Sequence, residues 1–174
     1  MNEEKTEKKE NVMVDKFLVH LLDCNDTDNL IIKGHILTEH ALHFFIEMNS
    51  IEKLNFKKIK FTYSNKIEIA KILGLYKENP ELYNELKLLN RLRNSIAHNL
   101  KYDQKTLNDF LLGFDKYKGF FQSEKFKRLS SDKEIFYENN GGKITVKGEH
   151  MILMFYISSI CMSIFGSYKP KKEK

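Results

Sequence analysis

The chain has 174 residues, enough for one sizeable hydrophobic core and too few for two comfortable ones. Hydrophobic residues at 41% and charged residues at 30%, without Gly, Pro or Ser tracts, exclude a disordered or collagen-like chain. A formal charge of +5 favours a polyanionic partner but is far from that of a nucleic-acid coat protein.

Residues 1–10 are charged and polar, the reading of a tail and not of a signal peptide, which points to the cytoplasm. Apolar residues recur at helical spacing from Val12 to Leu22 and predict a first helix. Asn25, Asp26 and Thr27 offer caps for a second helix that reaches about Asn49, apolar almost all round and therefore central. The stretch 54–63 alternates irregularly between Lys and apolar residues and reads as extended, before Ser64 caps a helix over 65–75. Asn79, Pro80 and Glu81 then start a helix that runs to about Asn99. Asp103 caps a further one through Phe114 and Tyr117, and a basic connection with Lys125, Lys127 and Arg128 follows. Asn139–Gly142 break the chain, so a loop or small hairpin is expected over 139–147, with 143–147 as a strand whose partner is not evident. The apolar run 151–168 closes the bundle as a core helix or, at the lower length limit, serves as a tail anchor, and a basic tail, 169–174, ends the chain. The expected architecture is one all-α helical bundle over 11–168 with no internal repeat.

Lysine dominates the basic residues, and the only arginines are Arg91, Arg93 and Arg128. Arginine kept under such a bias suggests forked contact with carboxylate or phosphate, which lysine cannot make. On a wheel of the helix over 81–100, Leu82, Leu86, Leu89, Leu92, Ile96 and Leu100 form the apolar stripe, and Arg93 falls inside it. A guanidinium there demands a carboxylate, a bound phosphate or a cleft opened by a second subunit. Asn94 and His98 are four apart on one flank, where the amide can fix the imidazole tautomer. Arg93 and His98 diverge by roughly 140°, which favours a composite site between two copies.

Arg93-Asn94-Ser95-Ile96-Ala97-His98 has the form R-N-x-x-x-H, preceded by Lys66-Ile67 and Leu73-Gly74-Leu75 in the helix before it. In these residues the chain resembles the HEPN superfamily (higher eukaryotes and prokaryotes nucleotide-binding), in particular its mannitol-repressor-like and toxin-like bacterial branches, over about residues 31–100. The resemblance implies a helical bundle, usually dimeric, and in many members a metal-independent endoribonuclease that serves as a toxin or in phage defence. It further implies that Arg93 holds the scissile phosphate, His98 exchanges a proton and Asn94 orients the two. A tyrosine stands two residues after the histidine in one toxin branch; Leu100 occupies that place here, and Tyr102, two further on, is the supporting tyrosine.

His35, Glu39 and His43 form a polar line at spacing four, and His40 points elsewhere. A zinc site lacks its remaining ligands, so no metal is expected, and Glu39 is read instead as the buried counter-charge to Arg93. Cys24 and Cys161 have no ligand spacing. His20 and His150 read as structural or solvated. Ser64 and Ser95 have no nearby base, and no phosphate-cradling glycine loop or cofactor motif occurs. The runs 58–60 and 125–128 are candidate RNA guides, although most such lysines are solvent-facing.

The expected function is therefore an RNA-cleaving homodimer acting as a toxin or defence effector, with a cognate antitoxin or regulatory protein as partner. The alternative is a non-catalytic module that binds a protein or nucleotide and regulates transcription or a partner. A membrane-tethered helical adaptor is a third reading.

Overall fold

A computed structural model describes residues 21, 24, 26–50, 60–116, 134–139 and 142–167. It shows an all-α fold: five α-helices, a 3₁₀ turn and one β-hairpin among the described residues. We number them α1 (Thr27–Asn49), α2 (Tyr63–Ile72), α3 (Leu82–Asn99), α4 (Gln104–Leu111), the 3₁₀ turn Leu112–Lys116, β1 (Glu134–Asn139), β2 (Gly142–Lys147) and α5 (Gly148–Gly166). The expected first helix, the extended reading over 54–59 and the basic connection lie outside the described residues, apart from buried Leu21 and Cys24.

Side-chain chemistry sets most boundaries. Asp26 caps α1 by accepting from the Asn29 amide at 2.8 Å. The second helix begins two residues before its expected start, because Thr62 and not Ser64 is the cap, in a reciprocal capping box with Asn65. That shift carries Tyr63 into the core. Gly74, at φ 88, closes the helix with the left-handed turn that a residue without Cβ adopts at no steric cost. Helix α3 begins only at Leu82, and Asn79 contributes its backbone carbonyl instead of a side-chain cap. Asp103 caps α4 as expected, at 2.7 Å from the Thr106 amide, but its last turn tightens to 3₁₀ geometry over Leu112–Lys116. The 139–147 break is a real hairpin: Glu134–Asn139 supplies the missing antiparallel partner, in register from Glu134 opposite Lys147 to Asn139 opposite Gly142. Ile135-Phe136-Tyr137 is too short an apolar run to be distinguished by periodicity alone.

Interhelix contacts define the arrangement. His150 meets the Cys24 carbonyl and Phe44 meets Phe165, so α5 runs parallel to α1. Asp28 meets Tyr102 and His35 meets Asn90, so α3 runs antiparallel to α1. Helix α2 packs on both and antiparallel to α3, through Ser64 with Asn90 and Lys71 with Tyr83. Gly34 permits a close approach of α1 and α5, since a Cβ there would lie 2.5 Å from Ile157 Cδ1.

Helix α5 is apolar around most of its circumference because it is the core helix: Leu153, Tyr156, Ile157, Ile160 and Ile164 are fully buried. Its serines lose little by burial, because Ser158, Ser159 and Ser163 each donate to the carbonyl four residues back, at 2.8–2.9 Å. Among the described residues it is the one helix long and apolar enough to cross a membrane, and 67% of its most apolar window is buried inside the protein. The contacts around it include His150, whose imidazole burial pushes below its ordinary pKa despite the Cys24 and Asp26 partners.

Candidate functional site

The segment that bears the motif is the C-terminal half of α3. Leu82, Glu85, Leu86, Leu89, Leu92 and Ile96 are its buried residues, and they define an inward face that keeps the expected stripe except its last member, Leu100. Leu100 lies past the helix end, 88% exposed, with φ 56, its amide bonded to the Ile96 carbonyl. Ser95 holds this turn by donating to the Lys101 carbonyl at 3.0 Å. Unlike α2, α3 therefore ends in a left-handed residue that carries a Cβ.

Arg93 is exposed, contrary to the expectation of a buried guanidinium. Its Cα lies at the edge of the inward arc, but its Nη1 donates to Asn94 Oδ1 at 3.2 Å, which draws the charged group around to the solvent side. Asn94 thus contacts the arginine and not the histidine. His98 is exposed, about 170° from the centre of the buried face at 100° per residue, and no hydrogen bond to it occurs among the described residues. Tyr102 is half-buried away from the motif: its amide meets Asp28 Oδ1 at 3.4 Å, and burial, then Glu149 and Asp28, raise its hydroxyl pKa.

Glu39 is not the partner of Arg93. Its Oε1 accepts from Lys66 Nζ at 2.9 Å, and Lys66 is 9% exposed. The physical reason lies in α2: Tyr63, Lys66, Ile67 and Ala70 form its inward face, so the lysine enters the core beside Glu39. His43 approaches Glu47 at 3.9 Å, and no group of three metal-ligating side chains converges among the described residues.

Beneath the motif lies a polar junction of three helices that periodicity did not expose. His35, 6% exposed, stacks on Tyr63 with centroids 3.9 Å apart. Its Nε2 lies 3.2 Å from Asn90 Oδ1, while Asn90 Nδ2 donates to Ser64 Oγ at 3.2 Å. In this orientation of the amide, His35 carries its proton on Nε2. Burial pushes the imidazole below its ordinary value; Asn90 and Glu39 oppose the shift, and Arg93 and Lys66 add to it. Arg93 therefore stands within electrostatic reach of this junction. Thr38 and Tyr63 complete it with a 2.8 Å hydroxyl pair. Asn90 was available to sequence reasoning as the residue four before Asn94 and eight before His98; Lys66, one lysine among many, carried no signal.

No family model, curated protein or solved structure matches the chain.

Proposed function

We propose that the chain is a HEPN-type, metal-independent endoribonuclease that works as a homodimer in a toxin or phage-defence role, with Arg93, Asn94 and His98 at its reaction centre. The observation that carries this reading is the exposure of Arg93 and His98 on one helix of an all-α bundle, with Asn94 turning the guanidinium outward. A phosphate reached by Arg93 has its non-bridging oxygens stabilised as charge develops. The 2′-hydroxyl attacks the phosphorus, His98 takes its proton or protonates the departing 5′-oxygen, and a 2′,3′-cyclic phosphate and a 5′-hydroxyl result. Arg93 and His98 leave the helix roughly 140° apart, so a second copy brings the arginine of one chain to the histidine of the other. A cognate antitoxin or regulatory protein would act by covering this helix.

The test compares wild type and His98→Ala on mixed cellular RNA, with EDTA present and absent. Cleavage by wild type that survives EDTA, leaves cyclic phosphate ends and falls by about 10²-fold or more in His98→Ala is the expected result. RNA left intact by wild type refutes the nuclease and leaves a regulatory binding module as the reading. Sedimentation at high micromolar concentration tests the dimer, and a strict monomer removes the composite site.

A further inference from the structure

Opposite its buried face, α3 presents Tyr83, Lys87, Arg91, Asn94 and His98 within an arc of about 80° and over about 22 Å of axis. Lys87, Arg91 and His98 are exposed, and Tyr83 and Asn94 are half-buried. At the far end of this line, α2 adds a second cation: Lys71 Nζ stands 4.6 Å and Lys87 Nζ 4.3 Å from the centroid of the same Tyr83 ring. The ring itself is fixed, edge-on to Tyr76 at 5.4 Å and through a 2.7 Å bond from its hydroxyl to Glu68 Oε1. Glu68 is the single carboxylate of the group, 3.7 Å from Lys87, so two ammonium groups face one carboxylate. Arg91, one turn on, has no ion pair or hydrogen bond among the described residues.

Lysines on a helix surface are ordinarily loose, and most do no more than solvate it. Here two of them converge from different helices on one anchored aromatic ring, which lowers the conformational freedom that a ligand must remove and leaves a net positive charge. Ammonium groups occupy the ring, so the ligand that suits it is an anion and not a stacked base.

We propose that Lys71, Lys87 and Arg91, organised by Tyr83, form a phosphate-binding track that guides single-stranded RNA along α3 to His98. The inference rests on the RNA-cleaving reading of the motif and extends it to the binding of the strand. In-line attack by a 2′-hydroxyl requires a backbone free of A-form geometry, so the strand is single. The track reads phosphate and not sequence, because none of its groups presents a base-specific pattern. Glu68 opposes it, as a carboxylate competing for Lys87.

The experiment measures anisotropy of labelled single-stranded RNA oligonucleotides of two unrelated sequences against wild type, the double variant Lys71→Gln/Lys87→Gln, Glu68→Gln and the control Lys105→Gln, an exposed lysine on α4. Each lost phosphate contact should weaken binding roughly fivefold at 0.1 M salt and lower the slope of log K against log salt by about 0.7, so the double variant should lose roughly 25-fold and about 1.4 in slope for both sequences. Glu68→Gln should bind more tightly, and the control should bind within about twofold of wild type. In cleavage, the double variant should raise KM with kcat retained at saturating RNA. A double variant that binds as wild type does, or with an unchanged salt slope, overturns the track even if His98-dependent cleavage is present. Loss of binding in the double variant by a wild type that never cleaves supports the track and sinks the nuclease reading. Wild type that does not bind RNA ends both.

Discussion

Arg93→Ala separates chemistry from stability. A buried arginine paired with Glu39 would have cost about 3–5 kcal/mol on truncation, because its carboxylate would be left without compensation. The structure places Arg93 in solvent with one side-chain hydrogen bond, to Asn94, while Glu39 is satisfied by Lys66. Truncation therefore removes a solvated group, and the cost should be within about 0.5 kcal/mol, or roughly 1–2 °C in Tm for a chain of this size. Lys66→Met is the contrasting variant, since it keeps the buried stem and removes the charge. The Glu39 side chain it abandons is 33% exposed and can rehydrate in part, so the fully buried figure is discounted to about 1–3 kcal/mol, roughly 2–10 °C. Thermal melts followed by circular dichroism, at low micromolar concentration to limit any dimer contribution, give both values. Cleavage by Arg93→Ala should fall by about 10²-fold or more, because the phosphate loses its preorganised cation. An Arg93→Ala protein that melts several degrees low, or a Lys66→Met protein that melts with wild type, would refute the assignment of partners.

Gly34→Ala should lower Tm by a few degrees, about 1–3 kcal/mol, since its Cβ would press on fully buried Ile157; adding Ile157→Val, which deletes the atom 2.5 Å away, should recover part of the loss in the same melts. Leu100→Gly should raise stability by about 0.5–1 kcal/mol, because the left-handed turn penalises a Cβ while the 88% exposed side chain buries almost nothing; a lower Tm in this variant contradicts the exposure. His35 and His150 titrate below their ordinary value in the fold, chiefly through burial, so the unfolded chain binds more protons as the pH drops. Their contribution is fully present above about pH 6.5 and is lost as pH falls through the depressed folded values, so urea midpoints should decline from pH 7.5 to 5 and His150→Gln should flatten that decline. Imidazole chemical shifts for both residues that move at or above pH 6.5 would contradict this order.

Local chemistry made much of the fold legible in advance. Asp26 and Asp103 cap where their short oxygens can reach an amide three residues on, and the 3.6-residue period of Leu82, Leu86, Leu89, Leu92 and Ile96 marked the inward face of α3. These are properties of a few neighbouring residues, so the sequence by itself determined them, together with the R-N-x-x-x-H spacing that singles out Arg93, Asn94 and His98. Which charge meets which was decided only by the packing of helices. A wheel treats each helix as if covered along its full length, yet Arg93 on α3 is exposed, and the residue that reaches Glu39 is Lys66, on the face of α2 that packs inward with Tyr63, Ile67 and Ala70. The same tertiary placement buried His35 against Tyr63 and Asn90, and set Lys71 and Lys87 over one tyrosine. Periodicity records which face of a helix avoids water; the identity of the neighbour that covers it, or fails to, depends on contacts between residues distant in the chain, and only the assembled helices supply those.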